Sequence, residues 1–245
     1  MNFAFSEEQE QLREAVRKFM EAKSPSSEVR RLMETTEGYD EAVWKQMAQE
    51  LGLQSLHLPE AHGGQGFTFV ELGIVLEEMG RVLLCAPYFS TVVLAADAIM
   101  NAGTDAQQGE LLPGIASGET IAALAFTEPN GRWDASGITM EASGKGDSYQ
   151  LSGTKMFVID GHTANTIITV ARLAGTSGED GISFFAVDGD ASGLTRTPLA
   201  TMDQTRKQAR LDFSDVAARP LGEPGAGWAA LSSAHWVSEP TQDHS

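Results

Sequence analysis

The spacing of apolar residues changes partway along this 245-residue chain, and that change limits the folds it can adopt. Up to about residue 118, apolar side chains recur every three or four positions, which is the period of an amphipathic helix. From Thr120 onwards they occur in short runs rich in β-branched and aromatic residues, separated by Gly, Ser and Asp. The sequence therefore predicts an α+β multidomain chain, with an all-helical N-terminal domain followed by an antiparallel β-barrel or sandwich.

We place the boundaries of these parts from the same pattern. The prediction is a helical domain over residues 1–118, a β domain over 119–221, and a linker with the stub of a further helical domain over 222–245. The final segment, residues 234–245, loses its helical periodicity abruptly.

Capping patterns mark three helix starts in the first domain. Ser6 with Gln9, and Thr68 with Glu71, each form a capping box in which a hydroxyl and a longer polar side chain satisfy exposed backbone N–H groups. Asp40 is a cap of the simpler kind and precedes a third apolar stripe. We therefore expect amphipathic helices after all three positions.

The remaining segments of the first domain follow from composition. Residues 24–27 are interpreted as a polar connection, and residues 53–66, rich in Gly and Pro, as a turn-rich loop without regular structure. Further helices are expected over 89–100 and 105–117. Pro113 should bend or restart the last of these because proline lacks the N–H that an interior helical position donates.

The second domain is predicted to contain short strands joined by turns. The predicted strands are Ile121–Phe126, Ile138–Ala142, Ser148–Leu151, Lys155–Val158, Thr166–Val170, Ile182–Val187 and Ala209–Phe213. The Gly-Lys-Gly-Asp sequence at 144–147 is typical of a hairpin turn. Strands of this length and spacing favour a barrel or a sandwich.

Charge argues against nucleic-acid binding. The chain has 17 Lys and Arg against 34 Asp and Glu, a net charge of −17, whereas binding to phosphate backbones requires clustered cations. A polyanionic small molecule would need a local basic patch, and Arg206, Lys207 and Arg210 form the only close basic cluster in the second half. A solvated strand edge is the alternative interpretation of that cluster.

The chain shows no sign of a secreted or membrane-spanning protein. Cys85 is the single cysteine and cannot form an intrachain disulfide, and the acidic start lacks the features of a signal peptide. The most apolar stretch, residues 91–100, contains Asp97 and is much shorter than the roughly 20 residues that a membrane helix needs. We therefore expect a cytoplasmic protein without a membrane span.

Two segments carry a family resemblance. Residues 124–134 read Leu-Ala-Phe-Thr-Glu-Pro-Asn-Gly-Arg-Trp-Asp, and residues 151–161 read Leu-Ser-Gly-Thr-Lys-Met-Phe-Val-Ile-Asp-Gly. Together with the Leu-Pro-Glu…Gly-Gly-x-Gly loop at 58–66, they resemble the N-terminal and middle domains of the acyl-CoA dehydrogenase family. The resemblance covers nearly the whole chain and implies a flavoprotein that binds FAD.

The resemblance also implies which residues contact the cofactor. These are Leu124, Phe126, Thr127, Trp133, Phe157 and Ile159. Thr127 matches the hydroxyl that holds the pyrimidine edge of the flavin, although a Thr here could instead cap the end of a strand. Many members carry Ser at Trp133, Trp at Phe157 and Thr at Ile159, so this site has fewer polar contacts. Core packing is an equal alternative for these apolar residues.

The implied reaction is α,β-dehydrogenation of an acyl-CoA thioester, with FAD as hydride acceptor, in fatty acid or sterol catabolism. In the family a Glu of a C-terminal helical domain removes the α-proton, and no position here matches it, so we assign no catalytic residue and expect the chain to be incompetent alone. Glu128 is interpreted as structural. Trp133 and Arg206 are the predicted substrate contacts, Arg206 through a phosphate or, alternatively, in a salt bridge with Asp203.

The resemblance further implies partners: an acyl-CoA substrate, a homo- or hetero-oligomer with a dehydrogenase chain, and an electron-transfer flavoprotein. The alternative is a non-catalytic subunit that partners a full-length dehydrogenase. No metal site is expected, because His57 and His62 lie on a loop without the helix that would align them, and one Cys cannot form a Cys-x-x-Cys pair.

Overall fold

A computed structural model of the chain describes residues 4–233. It consists of a helical part followed by a barrel of strands, which confirms the predicted fold class. The helices are α1 (Glu7–Lys23), α2 (Ser26–Met33), α3 (Glu41–Gln49), α4 (Phe69–Arg81), a π-helix (Phe89–Ala95), α5 (Ala96–Ala102), α6 (Asp105–Ala116) and α7 (Gly227–Ser233). In the described residues, no helix is both long enough and apolar enough to span a membrane.

The predicted helix caps are confirmed. Ser6 and Thr68 both form complete capping boxes, with Gln9 and Glu71 bonding back to the cap backbone. Asp40 accepts hydrogen bonds from the backbone N–H groups at the start of α3. These signals were readable because every bond lies within four residues of the cap.

Helix α2 was not predicted. The connection proposed for residues 24–27 is short, and the chain enters a helix at Ser26 that buries Val29 and Leu32 against Cys85. Its eight residues give little periodicity to recognise, since only two of them are fully buried. Tertiary packing therefore stabilises a helix that the local pattern did not indicate.

Two other expectations for the helical part need correction. The 53–66 loop contains two short 3₁₀ turns, Leu53–Ser55 and Glu60–His62, rather than no regular structure. Helix α6 runs through Pro113 as one element. The loop glycine Gly64 is required sterically, because a Cβ there would lie 1.9 Å from the carbonyl oxygen of Leu58.

The strands form a closed barrel. They are β1 (Ala122–Ala125), β2 (Glu141–Lys145), β3 (Ser148–Ile159), β4 (Thr166–Leu173), β5 (Ile182–Asp188), β6 (Leu194–Leu199) and β7 (Gln208–Leu221). Neighbouring strands pair in the order β4-β2-β3-β7-β5, and β5 also pairs with β4, which closes the barrel. Strand β1 pairs with the first half of β4, and β6 pairs with β7. Most pairings are antiparallel, and β4 is parallel to β1 and to β2.

Several strand predictions differ from the structure. The two strands predicted within residues 148–158 are one continuous strand, β3, interrupted only by bulges. The strand predicted at Ile138–Ala142 begins only at Glu141, because the N–H groups of Thr139 and Met140 bond the Glu128 carboxylate. Strand β6 was missed, since it is an exposed strand without a buried face and contains Pro198.

The helical part is fixed to the barrel by buried polar bonds. The Thr91 hydroxyl on the π-helix both donates to the Ala122 carbonyl and accepts from the Ala122 N–H, at 3.0 Å each. The π-helix is therefore held against β1, the strand that leads into the first family-like segment.

After the barrel, residues 227–233 form the helix expected to follow the linker. Strand β7 extends further than predicted and includes Pro220. The rest of the predicted stub, residues 234–245, lies outside the described residues.

Candidate functional site

A cavity of about 440 Å³ lies where the end of β1, the bulged end of β3, the start of β7 and the π-helix meet. This volume is in the range of small-molecule sites, roughly 300–1,000 Å³. The cavity is lined by Phe89, Leu94, Leu124, Phe126, Thr127, Trp133, Met156, Phe157, Ile159 and Gln208. All six residues predicted as cofactor contacts are in this lining, so the two family-like segments face the same space.

Thr127 is the hydroxyl-bearing residue of the cavity lining. It follows the end of β1, and its carbonyl accepts a hydrogen bond from the Met156 N–H at 2.8 Å. Its side chain is nearly buried, yet its hydroxyl has no partner within residues 4–233. A hydroxyl that lines a cavity and has no partner in the described residues is available to bond a ligand there.

Phe157 enters the cavity through a distortion of β3. The pairing of β3 with β7 shifts register between Lys155 and Val158, and Phe157 has a φ of 57°, in the left-handed region that non-glycine residues rarely adopt. Its side chain is 53% exposed. A bulge redirects a side chain, and such strained residues concentrate at functional sites.

Trp133 lies at the mouth of the cavity. Its ring meets Phe126 edge to face, with centroids 5.6 Å apart, and 60% of the residue is exposed. The loop behind it is fixed by Arg172, whose buried guanidinium donates to the carbonyls of Ala135 and Ile138. The backbone of the loop is therefore held by Arg172, whereas the indole is mostly exposed and is not part of the core.

A buried ion pair lies directly behind the lining. Lys155 Nζ is 2.8 Å from Glu128 Oε1, and neither side chain is more than 3% exposed. Glu128 also accepts from the N–H groups of Thr139 and Met140 at 3.0 Å. Burial lowers the pKa of Lys155 to about 8, against the opposing effect of the Glu128 charge.

The pKa of the carboxylate partner is shifted in the sense expected for a paired acid. Burial alone would raise the pKa of Glu128, but the charge and hydrogen bond of Lys155, with the bonds from Thr139 and Met140, give a net lowering. Glu128 therefore stays ionised and is occupied by four donors. This arrangement agrees with its interpretation as a structural residue.

Asp160 is a second buried carboxyl near the cavity. It follows Ile159 at the end of β3, has a φ of 53°, and accepts a hydrogen bond from the Ser90 hydroxyl on the π-helix at 2.7 Å. Burial raises its pKa to about 6, although the Ser90 bond and the Arg206 charge oppose the rise. The residue connects the strand and the helix that form opposite walls of the cavity.

Arg206 lies apart from the cavity lining. Its Nη1 donates to the carbonyls of Leu84, at 2.6 Å, and Thr205, at 3.1 Å. Within residues 4–233 it forms no ion pair with Asp203, which instead accepts from Thr205. The salt bridge that we considered for it is therefore not formed, while Nε and Nη2 have no partner in the described residues.

Four lining residues were not found from the sequence: Phe89, Leu94, Met156 and Gln208. Phe89 and Leu94 come from the π-helix, and their helical spacing is equally typical of core residues. Met156 reaches the cavity beside Phe157 because the bulge breaks the alternation of β3. The Gly-free motif at 155–159 gave no signal for a bulge, so periodicity alone could not have identified it.

The two histidines considered for metal binding each meet one carboxylate. His57 Nε2 lies 3.1 Å from Asp97 Oδ1, and His62 Nε2 lies 3.2 Å from Asp105 Oδ1. Within residues 4–233, no group of three or more His, Cys, Asp or Glu side chains is positioned to hold a metal ion.

The cavity chemistry fits an aromatic, partly polar ring system such as a flavin. Aromatic and aliphatic side chains supply the walls, and the free hydroxyl of Thr127 and the amide of Gln208 supply polar groups at the lining. Sites of this composition use a few placed polar groups to orient an otherwise apolar ligand. No carboxylate belongs to the lining formed by the described residues.

Comparison with known proteins gives the same answer for both parts of the chain. Residues 6–119 match the family model "Acyl-CoA dehydrogenase, N-terminal domain", and residues 123–216 match "Acyl-CoA dehydrogenase, middle domain". Probable acyl-CoA dehydrogenase YngJ of Bacillus subtilis is 32% identical over 238 residues, which is 93% of this chain and 61% of that protein. Mitochondrial isovaleryl-CoA dehydrogenase of Pongo abelii is 33% identical over 78% of this chain and 46% of its own length.

Solved structures agree. An acyl-CoA dehydrogenase from Geobacillus kaustophilus superimposes with a TM-score of 0.85 at 27% identity, covering 96% of this chain and 63% of that one. The ChsE4-ChsE5 complex from Mycobacterium tuberculosis gives 0.81 at 26% identity, covering 96% and 62%. The chain thus spans about half to three-fifths of the length of these relatives, and on the two family models together it belongs to the acyl-CoA dehydrogenase family.

Proposed function

We propose that this chain forms the flavin side of an acyl-CoA dehydrogenase and binds FAD in the cavity between β1, β3 and the π-helix. The observation that carries the proposal is that six residues from two separate motifs, chosen from the sequence, line one cavity. Thr127 would bond the polar edge of the ring, while Phe126, Phe157 and Trp133 would cover its faces and exclude water. When bound, FAD accepts the hydride that leaves the β-carbon of an acyl thioester.

The α-proton requires a base that this cavity does not contain. A base must come within hydrogen-bond distance of the proton that it removes, and the lining formed by residues 4–233 has no carboxylate. Glu128 is held by Lys155, Thr139 and Met140 behind the wall. We therefore propose that the base comes from outside residues 4–233, and that the described part alone does not complete the reaction.

The substrate in this proposal is an acyl-CoA thioester. Arg206 remains our candidate for a phosphate contact, because Nε and Nη2 are free of protein partners in the described residues. We further propose that the chain works in a homo- or hetero-oligomer with a dehydrogenase chain and passes electrons to an electron-transfer flavoprotein, as in its family.

A second candidate is a non-catalytic subunit that partners a full-length dehydrogenase. Trp133 favours it, because a bulky indole lines the cavity at a position where many members carry a Ser. One of the similar structures is a complex of two named chains, ChsE4 and ChsE5. In this alternative the cavity holds FAD but does not admit the thioester.

The first experiment is a visible absorption spectrum after addition of FAD and removal of the excess by desalting. We expect a retained flavin band, and Thr127→Ala should weaken FAD binding about tenfold because one hydrogen bond to the ring is lost. Thr154→Ala is the matched control: Thr154 lies on β3 outside the lining and bonds Asp212. A wild-type chain that remains colourless would contradict the proposal.

Adding an acyl-CoA to the flavin-loaded chain separates the two candidates. A shift of the flavin spectrum in the wild type supports the dehydrogenase chain with an open thioester site. A shift that appears only in Trp133→Ser supports the non-catalytic subunit.

A further inference from the structure

The segment that carries Thr127 is held by β3 at three successive residues. Lys155 Nζ donates to the Phe126 carbonyl at 3.1 Å and to Glu128 Oε1 at 2.8 Å. Between these two contacts, the Met156 N–H donates to the Thr127 carbonyl at 2.8 Å. Residues 126–128 lie outside regular strands, so these bonds replace the ladder that would otherwise fix their backbone.

The same cation also connects the segment to the start of β2. Glu128 accepts from the backbone N–H groups of Thr139 and Met140, the two residues that precede β2, so both Lys155 and this backbone hold the carboxylate. Lys155 is entirely buried, and it directly precedes the bulge that presents Phe157 to the cavity. Lys155 therefore bonds the segment that carries Thr127 and directly precedes the bulge that carries Phe157, so it adjoins both walls of the cavity.

A buried lysine destabilises the fold unless its charge is well paired, because removing the charge from water is strongly unfavourable. An apolar residue of the same length would pack in that position without this penalty. The geometry offers a reason for the lysine: its ammonium group can donate more than one hydrogen bond, and here it bonds the Phe126 carbonyl and the Glu128 carboxylate together. Positioning of the intervening residue follows directly from that bonding.

We propose that Lys155 is a positioning residue that pre-organises Thr127 for the flavin by bonding the residue on either side of it. This inference rests on the proposed function for its consequence, which is tighter FAD binding. It assigns to Lys155 no contact with substrate or cofactor. Pre-organisation improves affinity because the ordering of the segment does not have to occur on binding.

The test compares two variants that differ only in the donor. The double variant Glu128→Gln, Lys155→Met leaves no unpaired charge and removes the bond to the Phe126 carbonyl. The single variant Glu128→Gln keeps Lys155, and Gln keeps an oxygen acceptor for Nζ; since burial already lowers the pKa of this lysine to about 8, it can stay bonded as a neutral amine. Neither variant leaves an unpaired buried charge, so we expect both to fold.

Two readouts are measured on each: the dissociation constant for FAD, and hydrogen exchange of the Met156 amide relative to amides of β5. We expect the double variant to bind FAD about tenfold more weakly and the single variant to stay within about threefold of wild type. Exchange at Met156 should accelerate selectively in the double variant. A residue that only supports the barrel would change all strand amides alike.

The outcomes are distinct. Unchanged exchange at Met156 in the double variant overturns the positioning role, because the segment would then be held without Lys155. Faster exchange with unchanged FAD affinity overturns the link to the cofactor while leaving the proposed function intact. A wild-type chain that binds no FAD removes the proposed function itself, and the cofactor role of Lys155 with it, even where exchange shows that the segment is held.

Discussion

Two buried carboxylates show that the helical part and the barrel hold charge differently. Glu78 of α4 is bonded by Arg17 and Arg81, whose side chains are 42% and 46% exposed, so both cations reach water. Glu128 is bonded by Lys155, which has no exposure. Glu78 is therefore paired with cations that remain in contact with water, whereas Glu128 and its cation are both buried behind the cavity.

This difference determines what each pair contributes. The arginine bonds lower the pKa of Glu78 to about 2, yet two solvated donors share the carboxylate and either can be lost without leaving it alone. Within residues 4–233 no second cation bonds Glu128, and the other bonds of the pair go to the backbone of residues 126, 139 and 140. The helical pair therefore stabilises packing, whereas the barrel pair also sets the shape of the site.

The largest effect on stability should come from Lys155→Met. Its comparison is Arg17→Met, which removes one of the two cations that bond Glu78. We expect Lys155→Met to lower the free energy of unfolding by about 3–5 kcal/mol, because it leaves a buried, unpaired carboxylate. Arg17→Met should lower it far less, because Arg81 still bonds Glu78 and the lost pair was open to solvent. Urea unfolding followed by circular dichroism measures both, and equal losses would contradict the distinction between the two regions.

How far the sequence could predict this arrangement depends on how local the bonds are. The caps at Ser6, Asp40 and Thr68 were found because donor and acceptor lie within one turn. The six residues predicted as cofactor contacts all lie in one cavity lining, because a family pattern records contacts made between segments. Without that pattern, nothing in the residues would have placed Thr127 opposite Phe157.

The parts that were missed depend on distant contacts. Helix α2 has only one turn of apolar residues, Val29, Leu32 and Met33, and strand β6 has no buried face, so packing against the rest of the chain decides their structure. The left-handed φ of Phe157 results from the mismatch between β3 and β7, which no property of Phe indicates. Lys155 belongs to the second motif, but its bonds to Phe126 and Glu128 form only when β3 packs beside the end of β1, which the sequence does not show.

Asp160 sharpens the comparison, because it is a buried carboxyl that accepts a hydrogen bond from the Ser90 hydroxyl and, among the residues that the structure describes, forms no ion pair. Its pKa is about 6 in the folded protein, above the roughly 3.9 of an unfolded chain. The folded state therefore binds more protons between these values, and stability falls as pH rises from about 4 to about 6. The contribution is complete below pH 4 and lost above pH 6.

Asp160→Asn should remove this pH dependence, since Asn can accept the Ser90 bond without a charge. We expect the variant to be more stable than wild type by about 1–3 kcal/mol at pH 7 and equal to it at pH 4. Thermal or urea unfolding across this range is the measurement. A variant that is less stable at pH 7 would show that the Arg206 charge pairs with Asp160 strongly enough to place it with Glu78 and Glu128.

The smallest effect on stability, but a clear one on binding, should come from Phe157→Gly. Glycine removes the strain of a left-handed backbone, about 1–2 kcal/mol, but loses chain entropy and the contacts of the ring, so the net change should stay within about 1 kcal/mol. FAD affinity should fall about tenfold because one aromatic wall is gone. Phe157→Gly would then change FAD affinity with little change in stability, whereas replacement of Lys155 should lower both the free energy of unfolding and the affinity for FAD.

Leu83→Gly is the matched control for this variant. Leu83 also has a left-handed φ, of 52°, and a side chain that is 57% exposed, but it is outside the cavity lining. Its replacement should change stability as little as Phe157→Gly and leave FAD binding as in wild type. If Phe157→Gly also left binding unchanged, the bulge in β3 would be a consequence of barrel closure alone, and the strain at Phe157 would have no connection with the cofactor.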